Sequence, residues 1–243
     1  MQKKQIPHVS LIIPCYNESQ RITAGLVGAV AYLQKQRYVW EIVLVDDGST
    51  DTTVLLAKRL LKGKPHQLLT HTINQGKGAA IRDGVKVAGG KFIIFSDVDF
   101  SAPISQLPKL LQALERNEVA IGVRRHPKSQ VLVHQPKLRE FLGHAFTKLT
   151  NVLVTPGIYD VTCGFKGFQN KPAKKLFNSL RVGGWAFDAE LLFLARKYKF
   201  EIVQVPIIWS DNPHTKVHLL TDMPHVVADL FKIRVTDWLG AYK

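Results

Sequence analysis

The segment "IIFSDVDFSAP", residues 93–103, ends an apolar run in two carboxylates one residue apart, Asp97 and Asp99. Acids this close either face water or hold a cation, and along an extended chain alternate side chains point to the same side. The pair is placed to share one hard ion, Mg²⁺ or Mn²⁺, with an anionic ligand such as a diphosphate. Two more polar clusters follow apolar runs, "PCYNE" (Pro14 to Glu18) and "DDGSTD" (Asp46 to Asp51). In the latter, Asp-Gly makes a turn and Ser49, Thr50 or Asp51 caps the next helix, which still leaves an acid over. Asp46 or Asp47 suits nucleoside recognition, because a carboxylate accepts ribose hydroxyls or a base N–H. "NQGKGAAIRDG" (Asn74 to Gly84) sets glycines before a helix, where backbone N–H groups and Lys77 can meet an anion. It lacks the GxxxxGK[ST] of a P-loop, and a tight turn into a surface helix is the plainer alternative.

These clusters need a scaffold that brings strand ends together. The runs "VSLIIP", "EIVLVDD", "HQLLTH", "KFIIFSD" and "VAIGV" read as strands, with helical periodicity at residues 23–35, 51–61, 76–88 and 105–115, where Ser105 could cap the last. This alternation predicts an α/β fold, a doubly wound, mostly parallel sheet flanked by helices, with ligands at the carboxyl ends of the strands. After Val123 come a basic stretch, "RRHPKSQVLVHQPKLRE", a helix over 138–153, a short strand at "CGFKGF", helices over 171–180 and 187–197, and a strand at "EIVQVPIIW". No Gly/Ser linker intervenes, so residues 1–243 are expected to form one domain, with a nucleotide-binding half (1–123) and an acceptor-binding half (124–243). The last segment, 223–239, is an amphipathic helix with Val227, Leu230, Phe231, Val235 and Trp238 on one face. It packs on the sheet or lies on a membrane.

Lys and Arg number 33 against 19 Asp and Glu, a net charge of +14, which makes nucleic acid, anionic lipid and phosphorylated substrates the first partners to weigh. Nucleic-acid binders interleave aromatics with their basic residues, and Arg124 to Glu140 holds no Phe, Tyr or Trp, so nucleic acid is not expected. No apolar run approaches the ~20 residues of a membrane span, and "MQKKQIPHVS" has no secretory core. A cytoplasmic protein is expected. Cys15 and Cys163 have neither zinc nor redox spacing and read as buried thiols.

Taken together, "VSLIIPCYNE", "EIVLVDDGSTDTT", "NQGKGAAIRDG" and "SDVDFSAP" resemble glycosyltransferase family 2, inverting enzymes that use nucleotide-diphosphate sugars on a Rossmann-like (GT-A) fold. "DVTCGFKGF", "WAFDAELLFLARK", "VPIIW" and the region of Lys216, Asp222 and Arg234 resemble its dolichyl-phosphate glucosyltransferase branch, close kin of the mannose synthases. The resemblance implies that Pro14, Tyr16, Asn17, Glu18, Asp46 or Asp47, Lys77 and Asp97 hold the nucleotide, and that Asp99 with Asp97 holds the metal. Arg124, Arg125 and Arg139 resemble the arginines that hold a lipid phosphate, with Lys216 and Arg234 as further candidates. Asp188 and Glu190 would orient the sugar hydroxyls or act as base, Asp188 could equally cap its helix, and Trp185 would stack on sugar or lipid or belong to the core. The expected reaction moves a hexose, glucose from UDP-glucose or mannose from GDP-mannose, onto a polyprenyl or dolichyl phosphate. A soluble glycan hydroxyl is the alternative acceptor, and it would need a general base. With +14 charges and an amphipathic helix, the protein would sit on an anionic membrane surface.

Overall fold

The computed structural model describes residues 5–212 and 219–242; Lys216 lies outside the described residues. Seven strands form the main sheet: β1 (Val9–Cys15), β2 (Trp40–Asp46), β3 (His66–Thr70), β4 (Phe92–Ser96), β5 (Val119–Val123), β7 (Phe165–Gln169) and β8 (Ile202–Pro206). Their order is β3-β2-β1-β4-β7-β5-β8. A small second sheet pairs β6 (Gln130–Val133) with β9 (Ile208–Ser210). Strands β1, β4 and β5 are buried along their whole length, which is why they read as unbroken apolar runs and not as alternating ones.

Helices cover both faces. α1 (Ile22–Leu33), α2 (Thr53–Leu61) and α4 (Leu107–Leu114) pack on the face carrying Leu11, Ile13, Leu44 and Ile94. α3 (Lys77–Val87), α5 (Lys137–Leu153), α6 (Asn170–Ser179), α7 (Phe187–Lys197) and α8 (Leu219–Trp238) contribute to the other core, around Ile12, Val43, Phe95 and Phe168. Rings from β4, β7, α6 and α7 interlock there, with Phe95 stacked on Phe168 and edge-on to Phe177.

The sheet is mostly parallel, as expected, and β7 runs antiparallel between β4 and β5. "EIVQVPIIW" divides after Pro206 into β8 and β9, because a proline nitrogen cannot donate to a ladder. β6 arises inside the basic stretch, where its apolar run, Val131 to Val133, is only three residues long and mostly exposed. Ser105 does not cap α4; it lies in a 3₁₀ turn, Ile104–Gln106, that feeds directly into the helix. Both cysteines are buried thiols, as expected. α8 splits the stripe expected of it: Val226, Leu230 and Ile233 are buried in the core, while Phe231, Val235 and Trp238 face outward.

Close packing of α1 fixes the turn after β4. A Cβ on Gly25 would collide with the backbone carbonyl oxygen of Val98, between the two acids of that turn, whereas a Cβ on Gly28, one turn along the exposed side, would meet nothing within 4 Å. Gly25→Ala is therefore expected to destabilise the fold by about 1–3 kcal/mol. Gly28→Ala should stabilise it by about 0.5–1 kcal/mol. Urea unfolding midpoints at constant m-value check both, and equal effects at the two positions would contradict this packing.

Candidate active site

The carboxyl ends of β1, β2 and β4 open into a cavity of about 830 Å³, lined also by the loop before α3 and by residues of the second half. Pro14, Tyr16, Asn17 and Glu18 reach it from the end of β1, Asp47 from β2, Lys77 from α3, and Asp97 and Asp99 from β4. Arg124, Arg125, Arg139, Trp185 and Asp188 form the opposite side.

The β1 and β2 loops are stitched together. Asn17, at φ 51°, donates its N–H to Ser49 Oγ (2.8 Å) and accepts from the Thr50 N–H (2.8 Å), while the Glu18 N–H donates to Thr53 Oγ1 (2.7 Å). Asparagine tolerates this left-handed conformation better than most residues. Asp47 accepts from His71 Nδ1 (2.7 Å) and the Gln75 N–H (2.9 Å) at one oxygen, and from the Gly76 N–H (2.8 Å) at the other. The glycine loop is thus tied to β2. Gly76 is at φ 95°, and a Cβ there would stand 2.6 Å from the Gly183 carbonyl oxygen, so no other residue fits. Asp46 lies beneath the cavity, fully buried, and accepts from the Ser49 N–H (3.2 Å).

Asp97 and Asp99 are not on extended strand. β4 stops at Ser96, and a turn follows in which the Phe100 N–H donates to the Asp97 carbonyl (3.1 Å) and Phe100 adopts φ 47°. The turn, not strand alternation, presents both acids to the cavity. Asp97 pairs with Lys77. Burial opposes the charge on Lys77, yet the fields of Asp97 and Asp188 outweigh it and raise its pKa. Asp99 accepts from the Ser101 N–H (3.1 Å) and from Arg21 Nη1 (3.2 Å). Burial and the charge of Asp97 together push its carboxyl above the ordinary range, against the pull of Ser101 and Arg21.

Two hard-oxygen carboxylates on one wall, with no cluster of three or more His, Cys, Asp or Glu among the described residues, fit an ion that completes its shell with water and ligand oxygens. That is the habit of Mg²⁺ and Mn²⁺ bound with a diphosphate.

The opposite wall is basic. Arg124 grips Asp160 through Nε (2.6 Å) and Nη2 (2.8 Å), donates to Thr162 Oγ1 (2.9 Å), and lies over the Trp209 ring. Arg125 donates to Thr147 Oγ1 (2.5 Å) and stands 3.7 Å from Asp160. Arg139, on α5, is 3.7 Å from Asp211, and its buried Nε has no hydrogen-bond partner among the described residues. A buried donor left over in this way suits an anion held beside it. Asp188 does not cap α7; it is buried against Lys166 (2.6 Å), and burial raises its carboxyl despite Lys166 and Lys77.

Besides Asp46, two expected site residues stand elsewhere. Glu190 is fully buried under the site, where it accepts from the Arg181 and Val182 N–H groups and from the Tyr242 hydroxyl, and so ties the chain end to α7. Arg234 lies on α8 outside the cavity lining, over the rings of Phe193 and Trp238. Conversely, the sequence gives no individual role to Arg21, His71, Asp160 or Lys166. Arg21 has a local signal in its i,i+3 spacing from Glu18 at the start of a helix, and Asp160 and Lys166 fall inside the segment "DVTCGFKGF".

The Arg124–Asp160 pair generates a stability prediction. Burial would raise the Asp160 carboxyl, but Arg124 prevails and holds it at about 2. Its contribution is full above the unfolded value of about 4, roughly 2 kcal/mol, and is lost as pH falls through about 2. Asp160→Asn leaves Arg124 buried without its counter-charge, an expected loss of about 3–5 kcal/mol near neutral pH. Chemical denaturation at pH 7, and acid titration of the wild type followed by circular dichroism, check the two statements.

Residues 10–177 match the profile of glycosyl transferase family 2. The chain is 33% identical to the dolichyl-phosphate beta-glucosyltransferase of Saccharomyces cerevisiae, over 97% of this chain and 76% of that protein. It is 30% identical to the human dolichyl-phosphate beta-glucosyltransferase, over 100% of this chain and 82% of the human one. Among solved structures, mannosyl-3-phosphoglycerate synthase of Rubrobacter xylanophilus superposes with a TM-score of 0.70 at 17% identity, covering 96% of this chain and 75% of that one. Glucosyl-3-phosphoglycerate synthase of Mycobacterium tuberculosis, crystallised with Mn²⁺, UDP-glucose and phosphoglyceric acid, gives 0.67 at 16% identity, covering 95% and 79%. These structural likenesses establish the GT-A type of sheet. With the family profile running from β1 through most of α6, across the ends of β1, β2, β4 and β5 that open on the cavity, the chain belongs to glycosyl transferase family 2.

Proposed function

We propose that the protein transfers glucose from UDP-glucose, with inversion, to a polyprenyl or dolichyl phosphate at the cytoplasmic surface of a membrane. One observation carries this reading: Arg125 and Arg139 share a single cavity with Asp97 and Asp99, so a basic wall for an anionic acceptor faces a metal-binding wall for a diphosphate donor. The curated relatives' names support glucose and dolichyl phosphate as the pair of substrates.

A divalent ion on Asp97 and Asp99 would supply Lewis-acid stabilisation to the departing diphosphate. Lys77, beside Asp97, adds a point charge to the same group. Arg125 and Arg139 would seat the acceptor phosphate, one oxygen of which attacks the anomeric carbon from the face opposite the diphosphate. The carbon–oxygen bond to the nucleotide breaks, and UDP leaves with the electron pair. A phosphate is already ionised at neutral pH, so this route needs no general base, consistent with Asp188 being engaged by Lys166. Asp188 and Trp185, both on the cavity wall, would contact the sugar.

Asp47 favours uridine over guanosine. A carboxylate has about four acceptor positions, and His71, Gln75 and Gly76 use three of them. The position that remains suits the single imide N–H of uracil, whereas guanine presents two donors that match both oxygens of a free carboxylate.

Membrane association is supported by α5, which exposes Leu138, Phe141 and Val152 beside Lys137, His144 and Lys148, while Arg139 and Leu142 of the same helix line the cavity. Apolar and basic side chains on one solvent face are the mark of an interfacial helix. α8 adds Phe231, Val235 and Trp238. No helix among the described residues is long and apolar enough to cross a membrane.

Purified protein with Mn²⁺ or Mg²⁺, polyprenyl phosphate and radiolabelled UDP-glucose is expected to give organic-extractable label, and GDP-mannose is expected to give none. Label that stays aqueous with both donors, while nucleotide still binds, would sink the lipid-phosphate assignment in favour of a soluble acceptor. Asp99→Ala should lower metal-dependent turnover about a hundredfold or more. Arg139→Ala should cost about tenfold to a hundredfold in kcat/KM for the lipid phosphate. Leu138→Glu with Phe141→Glu should weaken sedimentation with anionic vesicles while leaving transfer to a short, water-soluble prenyl phosphate intact.

A further inference from the structure

The cavity holds a cation that the transfer scheme does not use. Arg21, at the entry to α1, places Nε and Nη2 on the two oxygens of Glu18, both at 2.6 Å, which leaves Nη1 to reach Asp99 at 3.2 Å. Glu18 seats the guanidinium rigidly, and the side chain is only 15% exposed, so it has little freedom to swing into water. Arginine stays protonated at any physiological pH, so this charge is permanent. Asp97 is likewise matched, by Lys77.

We propose that Arg21 is a positioning residue that shares Asp99 with the divalent cation and keeps the cation's affinity low until a diphosphate is present. This rests on the reading of Asp97 and Asp99 as the metal carboxylates. Both oxygens of Asp99 already accept an N–H, one from Ser101 and one from Arg21, so a cation must use the acceptor positions that remain. It must also sit within a few ångströms of the guanidinium, where two positive charges repel. Three carboxylates, Glu18, Asp97 and Asp99, face two fixed cations, Arg21 and Lys77, so the wall alone offers a divalent ion only one net negative charge. A diphosphate changes the balance, since its oxygens can face the ion, Lys77 and Arg21 at once. The affinities of metal and nucleotide are then coupled, and by linkage each raises the other by the same factor. The device also favours turnover: when the diphosphate leaves, the ion loses its main source of negative charge and leaves with it.

Mn²⁺ binding, read from the electron paramagnetic resonance signal of the free ion and so independent of catalysis, tests this in the full chain with and without UDP. Wild type should bind Mn²⁺ weakly alone and at least about tenfold more tightly with UDP. Arg21→Gln should bind Mn²⁺ alone about tenfold more tightly than wild type, with a correspondingly smaller gain from UDP. The double variant Glu18→Gln/Arg21→Gln removes the pair together, leaves no carboxylate at position 18, and should behave in the same way. This separates lost competition from a liberated Glu18 acting as a new ligand. If both variants bind Mn²⁺ alone no more tightly than wild type while Asp99→Asn abolishes binding, the role of Arg21 is overturned and the metal site stands. If Asp99→Asn binds Mn²⁺ as wild type does, the metal assignment itself fails and this inference falls with it.

Discussion

Acids gathered at neighbouring strand ends repel one another, and around this cavity most of them are met by a cation, while Asp47 is held by backbone N–H groups and His71. Arg21 meets Glu18 and Asp99, Lys77 meets Asp97, Lys166 meets Asp188, and Arg124 meets Asp160. Each pair also joins two elements: the start of α1 to the turn after β4, α3 to that same turn, β7 to α7, and the end of β5 to the loop before β7. The layout of the fold around the cavity therefore depends on charge matching as much as on the apolar core. Buried ion pairs are poor sources of stability compared with well-packed apolar side chains of the same volume. Their concentration at one cavity is better explained by what the cavity must hold than by what the fold needs to stay closed.

Strand direction decides which groups meet there. β1, β2 and β4 are parallel, so their carboxyl ends emerge side by side and deliver Asn17, Asp47 and Asp97 to one edge of the sheet. β7 enters antiparallel to β4, with Phe165 opposite Ser96, and so its leading loop starts where β4 finishes. The Asp97 N–H bonds the Gly164 carbonyl (3.3 Å), and Asp160 and Thr162 arrive within the same few residues. β5, antiparallel to β7, ends at that edge again and releases Arg124 and Arg125 directly into the cavity. One reversed strand thus brings the arginines after β5 face to face with the acids that follow β1, β2 and β4.

Much of this was legible in the sequence, and the reasons for the rest are physical. The strand-end clusters could be read because β1, β2 and β4 are apolar through almost their whole length and then stop abruptly in polar residues. Arg21 could not be matched to Asp99, because 78 positions separate them, nor Arg124 to Asp160, 36 positions apart. Glu190 misled for a different reason. A buried acid that anchors backbone N–H groups and one that contacts a ligand look alike in sequence, and only the three-dimensional position of Arg181, Val182 and Tyr242 separates them. The antiparallel course of β7 was hidden as well, since "FKGFQ" has an apolar pattern that either direction would satisfy.

The arginines of the basic wall do not change their charge within the physiological range. Arg124 is raised well above its ordinary value, burial being outweighed by Asp160. Burial lowers Arg125, and neighbouring Arg124 adds to the effect against Asp160, yet a guanidinium starts so high that it keeps its charge throughout the physiological range. The basic wall is therefore constant in charge. Asp188 is committed to Lys166 inside the protein and is poorly placed to exchange protons with a ligand. On the proposed reading, the attacking group is itself an ionised phosphate, and a wall of permanent cations is what it requires. A hydroxyl acceptor would have needed the opposite arrangement, a carboxylate or imidazole free to take a proton beside the attacking oxygen.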